Sequence, residues 1–397
     1  MRGVLCPVEG TRRVIDGYGF VIRKMKKRVM FMVESMMVGG AERVLINLVN
    51  SLDPNKYDIT VIAVFKNGVY PDYPCVFKDA WAPHVKYKYL IDNSNLIKYR
   101  FFNLVFNRGS KKLLHQLLVG DAYEVEIAWY EGLPTTFLAH SSNRHSRKLA
   151  WLHYGDGFAH LTPQQKETFL QEYRKYDEIV GVSDGVCRNF RERLGGNFSL
   201  RTCYNILDDN EIRAKADAFI VEREKPLTFV AVGRLVPVKG YDRLINACAQ
   251  LKQEGHDFRL WLIGEGSEHE ALQHKIQKFA LEQEVKMLGN QDNPYPYMKA
   301  ADWFVSSSHA EGFSTVLTEA CIIGTPIIST RCLGTAELLG ENCEYGLMTE
   351  NSEDGIYYAM KQVLVHSECR NEYSNRIHQR SAAFQKEALL KAIEQIL

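Results

Sequence analysis

Two carboxylates spaced Glu-x7-Glu, Glu311 and Glu319, bracket the run Gly312-Phe313-Ser314-Thr315-Val316-Leu317-Thr318. Small residues lead to Ser314, a good helix N-cap, so the helix that opens there presents N–H groups toward the preceding loop. Such a start binds phosphate by geometry and dipole together. Thr315 and Glu319 lie one turn apart on the same face, so Glu319 reaches about 6 Å beyond a bound phosphate. Glu311 sits in the loop before the helix. A carboxylate on each side of a phosphate seat suits a ligand with hydroxyls at both ends, such as a nucleotide-sugar. The bland alternative is a βαβ unit whose two glutamates are merely solvated. A second group of charges lies upstream, where Arg234 and Lys239 follow an apolar run ending at Val232. At the end of a parallel strand, a guanidinium and an ammonium can neutralise a diphosphate leaving group.

The elements that must hold these residues read clearly. Asp302 to Ser308 is a buried strand, Gly324 stops the helix begun at Ser314, and Ile327 to Thr330 is the next strand. The same alternation starts at Leu227–Val232 and continues through helix 241–254, strand 258–263, helix 268–280 and strand 285–288. Repeated βα units of this length imply a parallel sheet covered by helices on both faces.

An earlier set begins with Val29–Val33, a continuous apolar run, then Gly39-Gly40 and a helix over 41–50 with Val44, Leu45, Leu48 and Val49 on one stripe. Strand, glycine loop and helix open a doubly wound domain, but these glycines do not make Gly-x-Gly-x-x-Gly, which counts against a dinucleotide. Strands at 57–65, 124–130, 148–153, 178–183 and 201–206 follow. His153 ends one of them, where a polar side chain faces the ligand crevice; an isolated histidine is also often structural.

The sequence therefore predicts an α/β fold of two Rossmann-like, doubly wound parallel-sheet domains facing a cleft. Residues 1–24 read as a disordered extension and 25–207 as the first domain, which in the fold this order resembles is the acceptor side. Residues 208–226, highly charged and ending in Pro226, read as a linker. Residues 227–380 read as the second domain, which holds the candidate nucleotide-sugar seat, and 381–397 as a C-terminal helix, which in the fold this order resembles crosses back to the first domain.

One segment stands apart. Asn95 to Gly120 contains Lys98, Arg100, Arg108, Lys111 and Lys112 and no acidic residue. Ile97, Phe101, Leu104 and Val105 share one face, with Phe102 and Phe106 beside it. Basic, aromatic and amphipathic together describe an interfacial helix, although a helix packed on its own sheet shows the same stripe.

Composition sets the outer bounds. The 397 residues suffice for two or three domains, and a net charge of +1 gives no argument for nucleic acid. Nine cysteines without a Cys-x-x-Cys pair fit buried thiols in a reducing compartment. No apolar run approaches a membrane span, and residues 1–24 lack the apolar core of a signal peptide. Neither His/Cys ligand spacing nor Asp-x-Asp occurs, so the fixed cations are expected to serve where a divalent ion does elsewhere.

The Glu-x7-Glu spacing followed by Gly324-Thr325-Pro326 resembles the donor-binding signature of retaining glycosyltransferases of family 4, which have the GT-B architecture. Val232-Gly233-Arg234-Leu235, Lys239-Gly240, Gly264-Glu265-Gly266 and Gly334-Thr335-Ala336-Glu337 keep that family's order. The resemblance implies catalytic roles for Glu311, Arg234, Lys239 and His153. It implies donor contacts from Glu319, Gly312, Phe313, Ser314, Thr315, Gly39, Gly40 and Gly233. It also implies retention of anomeric configuration, no metal and no cofactor beyond the nucleotide-sugar substrate. The expected partners are that donor, a saccharide or lipid-linked saccharide acceptor, and an anionic membrane surface met through residues 95–120. The expected setting is bacterial capsule, exopolysaccharide or lipopolysaccharide synthesis, in the cytoplasm or on the inner face of the membrane. Two alternatives share the architecture: a nucleotide-sugar 2-epimerase, and a non-catalytic nucleotide-sugar or polysaccharide-binding protein.

Overall fold

Val29-Met30-Phe31-Met32-Val33 has no polar side chain to turn toward water, and all five residues are fully buried. This run is the centre of a sheet in the computed structural model. The structure describes residues 25–37, 39–68, 80–120, 122–154, 161–222 and 226–397, and the backbone of Val14–Asp16 and Gly19–Val21. Those two short strands, β1 (Val14–Asp16) and β2 (Gly19–Val21), pair antiparallel within the stretch expected to be disordered. The rest of residues 1–24, and Gly155-Asp156 after the His153 strand, lie outside the described residues.

The first sheet is built from β3 (Lys27–Val33), β4 (Tyr57–Phe65), β5 (Val85–Ile91), β6 (Val125–Ala128), β7 (Arg147–Leu152), β8 (Glu178–Gly181) and β9 (Leu200–Thr202). Its order is β5-β4-β3-β6-β7-β8-β9. The chain thus winds outward from β3 to one edge, returns beside β3 at β6, and winds to the other edge. Three helices of this half matter below: α1 (Gly40–Ser51), α2 (Leu96–Arg108) and α3 (Lys111–Leu118).

The second sheet contains β10 (Thr228–Val232), β11 (Arg259–Ile263), β12 (Val285–Gly289), β13 (Trp303–Ser306), β14 (Ile327–Thr330) and β15 (Leu347–Thr349). Its order, β12-β11-β10-β13-β14-β15, repeats the same scheme with the reversal between β10 and β13. All five strand pairings in this sheet are parallel. The core below it joins Phe229, Leu260, Leu262 and Trp303 to the buried face of the helix Tyr241–Gln253, from Leu244 to Leu251. In doubly wound sheets ligands bind outside the carboxyl ends of the strands, at the point where the strand order reverses. For the second sheet that point is the pair of loops after β10 and β13.

The stretch expected as a linker carries the helix Asp209–Ala216. Asp208 caps it by accepting from the Glu211 N–H at 2.9 Å. Acids in its first turn and bases in its last complement the helix dipole. The helix Lys386–Glu394 starts beside it: Lys386 Nζ lies 2.6 Å from Asp208 Oδ2, and the Lys386 N–H donates to Asp209 at 3.1 Å. Much of the high charge read as a linker signal thus stands at helix ends.

Candidate functional site

Thr228–Val232 runs out at Gly233, and Arg234 and Lys239 follow on a loop that tightens into a short 3-10 turn, Pro237–Lys239. Gly240 ends the turn in the left-handed region, at φ 61°. A Cβ there would stand 2.4 Å from the Ser307 carbonyl oxygen. Both the dihedral and the approach therefore call for glycine. That approach seats the first loop on the second, and three hydrogen bonds fix it. Ser307 Oγ donates to the Lys239 carbonyl at 2.9 Å, the His309 N–H to the Val238 carbonyl at 2.8 Å, and Arg243 Nε to the Ser307 carbonyl at 2.9 Å. Arg243 is buried and also donates to Asn351 Oδ1 at 2.7 Å; Asn351 in turn donates to the His309 carbonyl at 2.8 Å. His309 is exposed overall, but partial desolvation on the loop, with the Arg243 cation second, holds its imidazole below the usual pKa.

This seating brings Lys239 onto Glu311. The ammonium donates to Glu311 Oε1, and the same oxygen accepts from Ser308 Oγ at 2.9 Å. Both charged side chains keep about a fifth of their surface exposed (19% and 18%). The pair is thus screened from bulk water yet open on one side. Beneath it lies Tyr241, buried at 3% exposure, whose phenol is pushed up by burial and then by the Glu311 charge. It remains a neutral neighbour of the pair. Arg234 is half-buried on the same loop.

Next to Glu311, Ser314 takes the extended N-cap conformation of the helix Thr315–Ile323, φ −75° and ψ 117°. Its carbonyl receives the Thr318 N–H at 3.1 Å, but the Ser314 side chain makes no capping hydrogen bond to the first turn. The N–H groups of that turn are left to water or to an anionic ligand. Phe313, mostly buried, stacks on Tyr204 at 4.9 Å between ring centroids. Gly312 admits a close approach: a Cβ would lie 2.0 Å from the His153 carbonyl oxygen. Its own carbonyl accepts from Ser183 Oγ at 2.9 Å. The His153 side chain is buried at 7% exposure.

The expected residues thus fall into groups. Lys239, Glu311 and the loop through Gly312, Phe313, Ser314 and Thr315 converge after β10 and β13, with Gly233 and Arg234 leading in. Glu319 sits deeper in the helix, 5% exposed, and accepts from the Tyr295 hydroxyl at 3.1 Å. Gly39 is the N-cap of α1 and Gly40 its first residue, at the reversal point of the first sheet. Sequence reasoning passed over Ser307, Ser308, Arg243 and Asn351. Ser307 and Ser308 had a visible signal, a run of three serines closing β13. Arg243 and Asn351 had none, since a helix arginine and a distant asparagine meet only through the fold.

A different void, of about 240 Å³, opens among Arg28, Asp58, Thr60, Lys86, Lys88, Ala122 and Tyr123. It lies at the amino ends of β3, β4 and β5, away from the ligand-binding end of such a sheet. Lys86 is already paired with Asp58 at 2.6 Å. Among the described residues no cluster of three or more His, Cys, Asp or Glu side chains is grouped to hold a metal ion.

Residues 213–380 match the family model described as glycosyl transferases group 1. A Campylobacter jejuni protein, N-acetylgalactosamine-N,N'-diacetylbacillosaminyl-diphospho-undecaprenol 4-alpha-N-acetylgalactosaminyltransferase, is 34% identical over 54% of this chain. The lipopolysaccharide core biosynthesis glycosyltransferase LpsE of Rhizobium meliloti is 30% identical over 58% of it. These matches span 58% and 66% of the relatives' own lengths. The crystal structure of HepE from Anabaena, in complex with UDP, superposes with a TM-score of 0.70 at 18% identity, covering 94% of this chain and 99% of that one. Residues 213–380 thus resemble the glycosyl transferases group 1, and each of the two parallel α/β sheets is of the kind found in the GT-B fold of the HepE structure.

Proposed function

We propose that the chain transfers a sugar from a nucleoside-diphosphate sugar to a saccharide or lipid-linked saccharide acceptor in bacterial surface-polysaccharide synthesis. The observation that carries this reading is the Lys239–Glu311–Ser308 contact, held beside an uncapped helix start at the strand reversal of the second sheet. A diphosphate seated there would meet Lys239, already held by Glu311, and the N–H groups of the helix start, with Arg234 supplied by the same loop as Lys239. Charge develops on that diphosphate as the sugar C1–O bond breaks, and preorganised donors stabilise it most at that moment. By the family resemblance, the acceptor hydroxyl attacks C1 on the same face, gives its proton to the departing phosphate oxygen, and the product keeps its anomeric configuration. Lys239 is shared: it holds Glu311 in place before the donor arrives and turns part of its charge to the phosphate afterwards. Glu311 then orients a donor hydroxyl.

The activities named for the relatives favour a surface glycan. One acts on a sugar carried by diphospho-undecaprenol, and another serves lipopolysaccharide core biosynthesis. Because the cations come from the chain itself, the reaction is expected to proceed without a divalent ion. The test is a panel of nucleoside-diphosphate sugars, scored for protein-stimulated nucleotide release and for acceptor elongation, with and without EDTA. Elongation with matching nucleotide release, unaffected by EDTA, supports the reading. Nucleotide release with epimerised free sugar and no elongation would replace it with the epimerase, and loss of activity in EDTA would remove metal independence.

A further inference from the structure

The helices α2 and α3 pack inward through Tyr99, Phe102, Phe106 and His115, which leaves a second apolar face outward. Asn95 caps α2, its side chain accepting from the Ile97 and Lys98 N–H groups at 3.1 Å. The inner face is a chain of rings: Phe65 meets Tyr99 at 5.5 Å and Phe102 at 5.6 Å, Phe102 stacks on Phe106 at 5.6 Å, and Phe106 reaches Phe137 at 5.8 Å. In α3, His115 is fully buried and bonded to Ser142 Oγ at 3.0 Å. These contacts fix the rotation of both helices. The sequence had grouped Phe101, Phe102 and Phe106, but the structure divides them: Phe102 and Phe106 are core and only Phe101 faces out.

What faces out is apolar all the same. Ile97 is 81% exposed, Phe101 67% and Leu104 51%, a stripe at helical spacing that Arg108 continues. Leu96, Leu113 and Leu117 are exposed at 63%, 55% and 73%. These six make up nearly half of the thirteen exposed large hydrophobic side chains among the described residues. Exposed apolar residues scattered singly need no explanation, whereas a concentration on two adjacent helices does. The stripe is edged by Lys98, Arg100, Arg108, Lys111 and Lys112, with no acidic residue from 95 to 120.

We propose that this α2–α3 face docks the protein on a bilayer containing anionic lipid. The inference rests on the reading of a membrane-carried acceptor and names the surface on which that acceptor is met. The charge pattern selects this occupant. A second copy pairing through the same face would oppose five cations with five cations across a two-fold axis. An anionic headgroup layer instead meets the basic edge while Ile97, Phe101 and Leu104 enter the acyl boundary. No helix among the described residues is long and apolar enough to cross a membrane, so the contact is superficial and reversible.

The experiment is sedimentation of the full chain with vesicles of phosphatidylcholine alone or mixed with phosphatidylglycerol, at low and moderate salt. No donor or acceptor is present, so the result is independent of transfer. The parent should pellet with the anionic vesicles only, less so as salt rises. Changing Lys98, Arg100, Lys111 and Lys112 to glutamine should weaken binding at low salt on the order of 1000-fold, at about 1 kcal/mol for each charge removed. Changing Ile97, Phe101 and Leu104 to serine should abolish the part that salt does not remove, and since all three are exposed the thermal melt should not move. Nucleotide release from a soluble donor should be the same in parent and variants. Should release be absent while the vesicles bind, the transferase reading fails and the docking stands. A parent that stays in the supernatant, that binds both vesicles equally, or that forms a dimer lost on Phe101→Ser overturns the docking.

Discussion

Lys239→Ala tests the site most directly, because it separates holding Glu311 from stabilising a leaving group. In the folded protein the lysine and glutamate side chains keep about a fifth of their surface (19% and 18%). Removing the ammonium leaves Glu311 with the Ser308 hydroxyl as the remaining hydrogen bond on that oxygen. Stripping one partner from a fully buried pair costs ~3–5 kcal/mol, and residual exposure with salt screening brings this site nearer ~1–2 kcal/mol. The chemical loss is separate. A preorganised donor facing developing charge is worth ~3–4 kcal/mol, so transfer should fall ~100–1000-fold in single turnover well below the melting temperature. Glu311→Gln should also slow transfer by at least ~100-fold while leaving the fold intact. The double variant, Lys239→Ala with Glu311→Gln, decides between the roles. It no longer carries an uncompensated carboxylate, so its melting temperature should return toward that of the parent while transfer stays lost. A double variant that recovers transfer with its stability would show the lysine to be a structural counter-ion only. Lys239→Ala turning over within about 5-fold of the parent would remove the assignment altogether.

Two further perturbations follow from the packing. Gly240→Ala puts a Cβ against the Ser307 carbonyl at a left-handed position, and should cost more than ~1 kcal/mol and depress transfer by displacing Lys239; unchanged thermal unfolding and rate would refute the seating of the two loops. Glu126, on β6 and fully buried near His115, has its carboxyl pushed up by burial against smaller opposing pulls from Ser141 and Lys148. A folded pKa above the unfolded one means that its contribution is fully present below the unfolded value, near pH ~4, and is lost as pH rises through the folded value. Glu126→Gln should therefore raise the melting temperature at pH 8 and leave it little changed at pH 4, and an equal shift at both would sink the argument.

Much of this architecture was legible because its central strands have only one place to go. Val29–Val33 and the run ending at Val232 are apolar on both sides, which marks strands sandwiched between helix layers. The edge strands were harder. Val85–Ile91 alternates lysine with tyrosine and is half-exposed, and Leu347–Thr349 has three residues, so neither carries the continuous apolar signal. The helix inside 208–226 was missed because its charges were counted rather than placed: Asp208, Asp209 and Glu211 stand at its start, and Arg213 and Lys215 at its end. In α2 periodicity identified the helix and misled about its rotation. Two apolar stripes lie on one thirteen-residue helix, and the aromatic one wins the core through its ring contacts with Phe65 and Phe137.

The candidate site was legible for a different reason, which also explains what was missed. Lys239 and Glu311 are 72 residues apart, yet they meet because β10 and β13 are neighbours at the reversal of the sheet. A chain that winds outward from β10, then returns beside it, must lay the loops after those two strands next to each other. Residue types at the two strand ends are therefore read as one site once the alternation is recognised. The groups that hold the loops in register obey no such rule. Arg243 reaches back from a helix to Ser307, and Asn351 reaches in from beyond β15 to Arg243 and His309. Their partners are main-chain oxygens or each other, so any sequence signal is a single polar residue in an unremarkable place. The distinction predicts where substitutions act: changes at Lys239 or Glu311 should fall on turnover at constant fold, and changes at Arg243 or Asn351 on the melting temperature first, with turnover following as the loops lose their register.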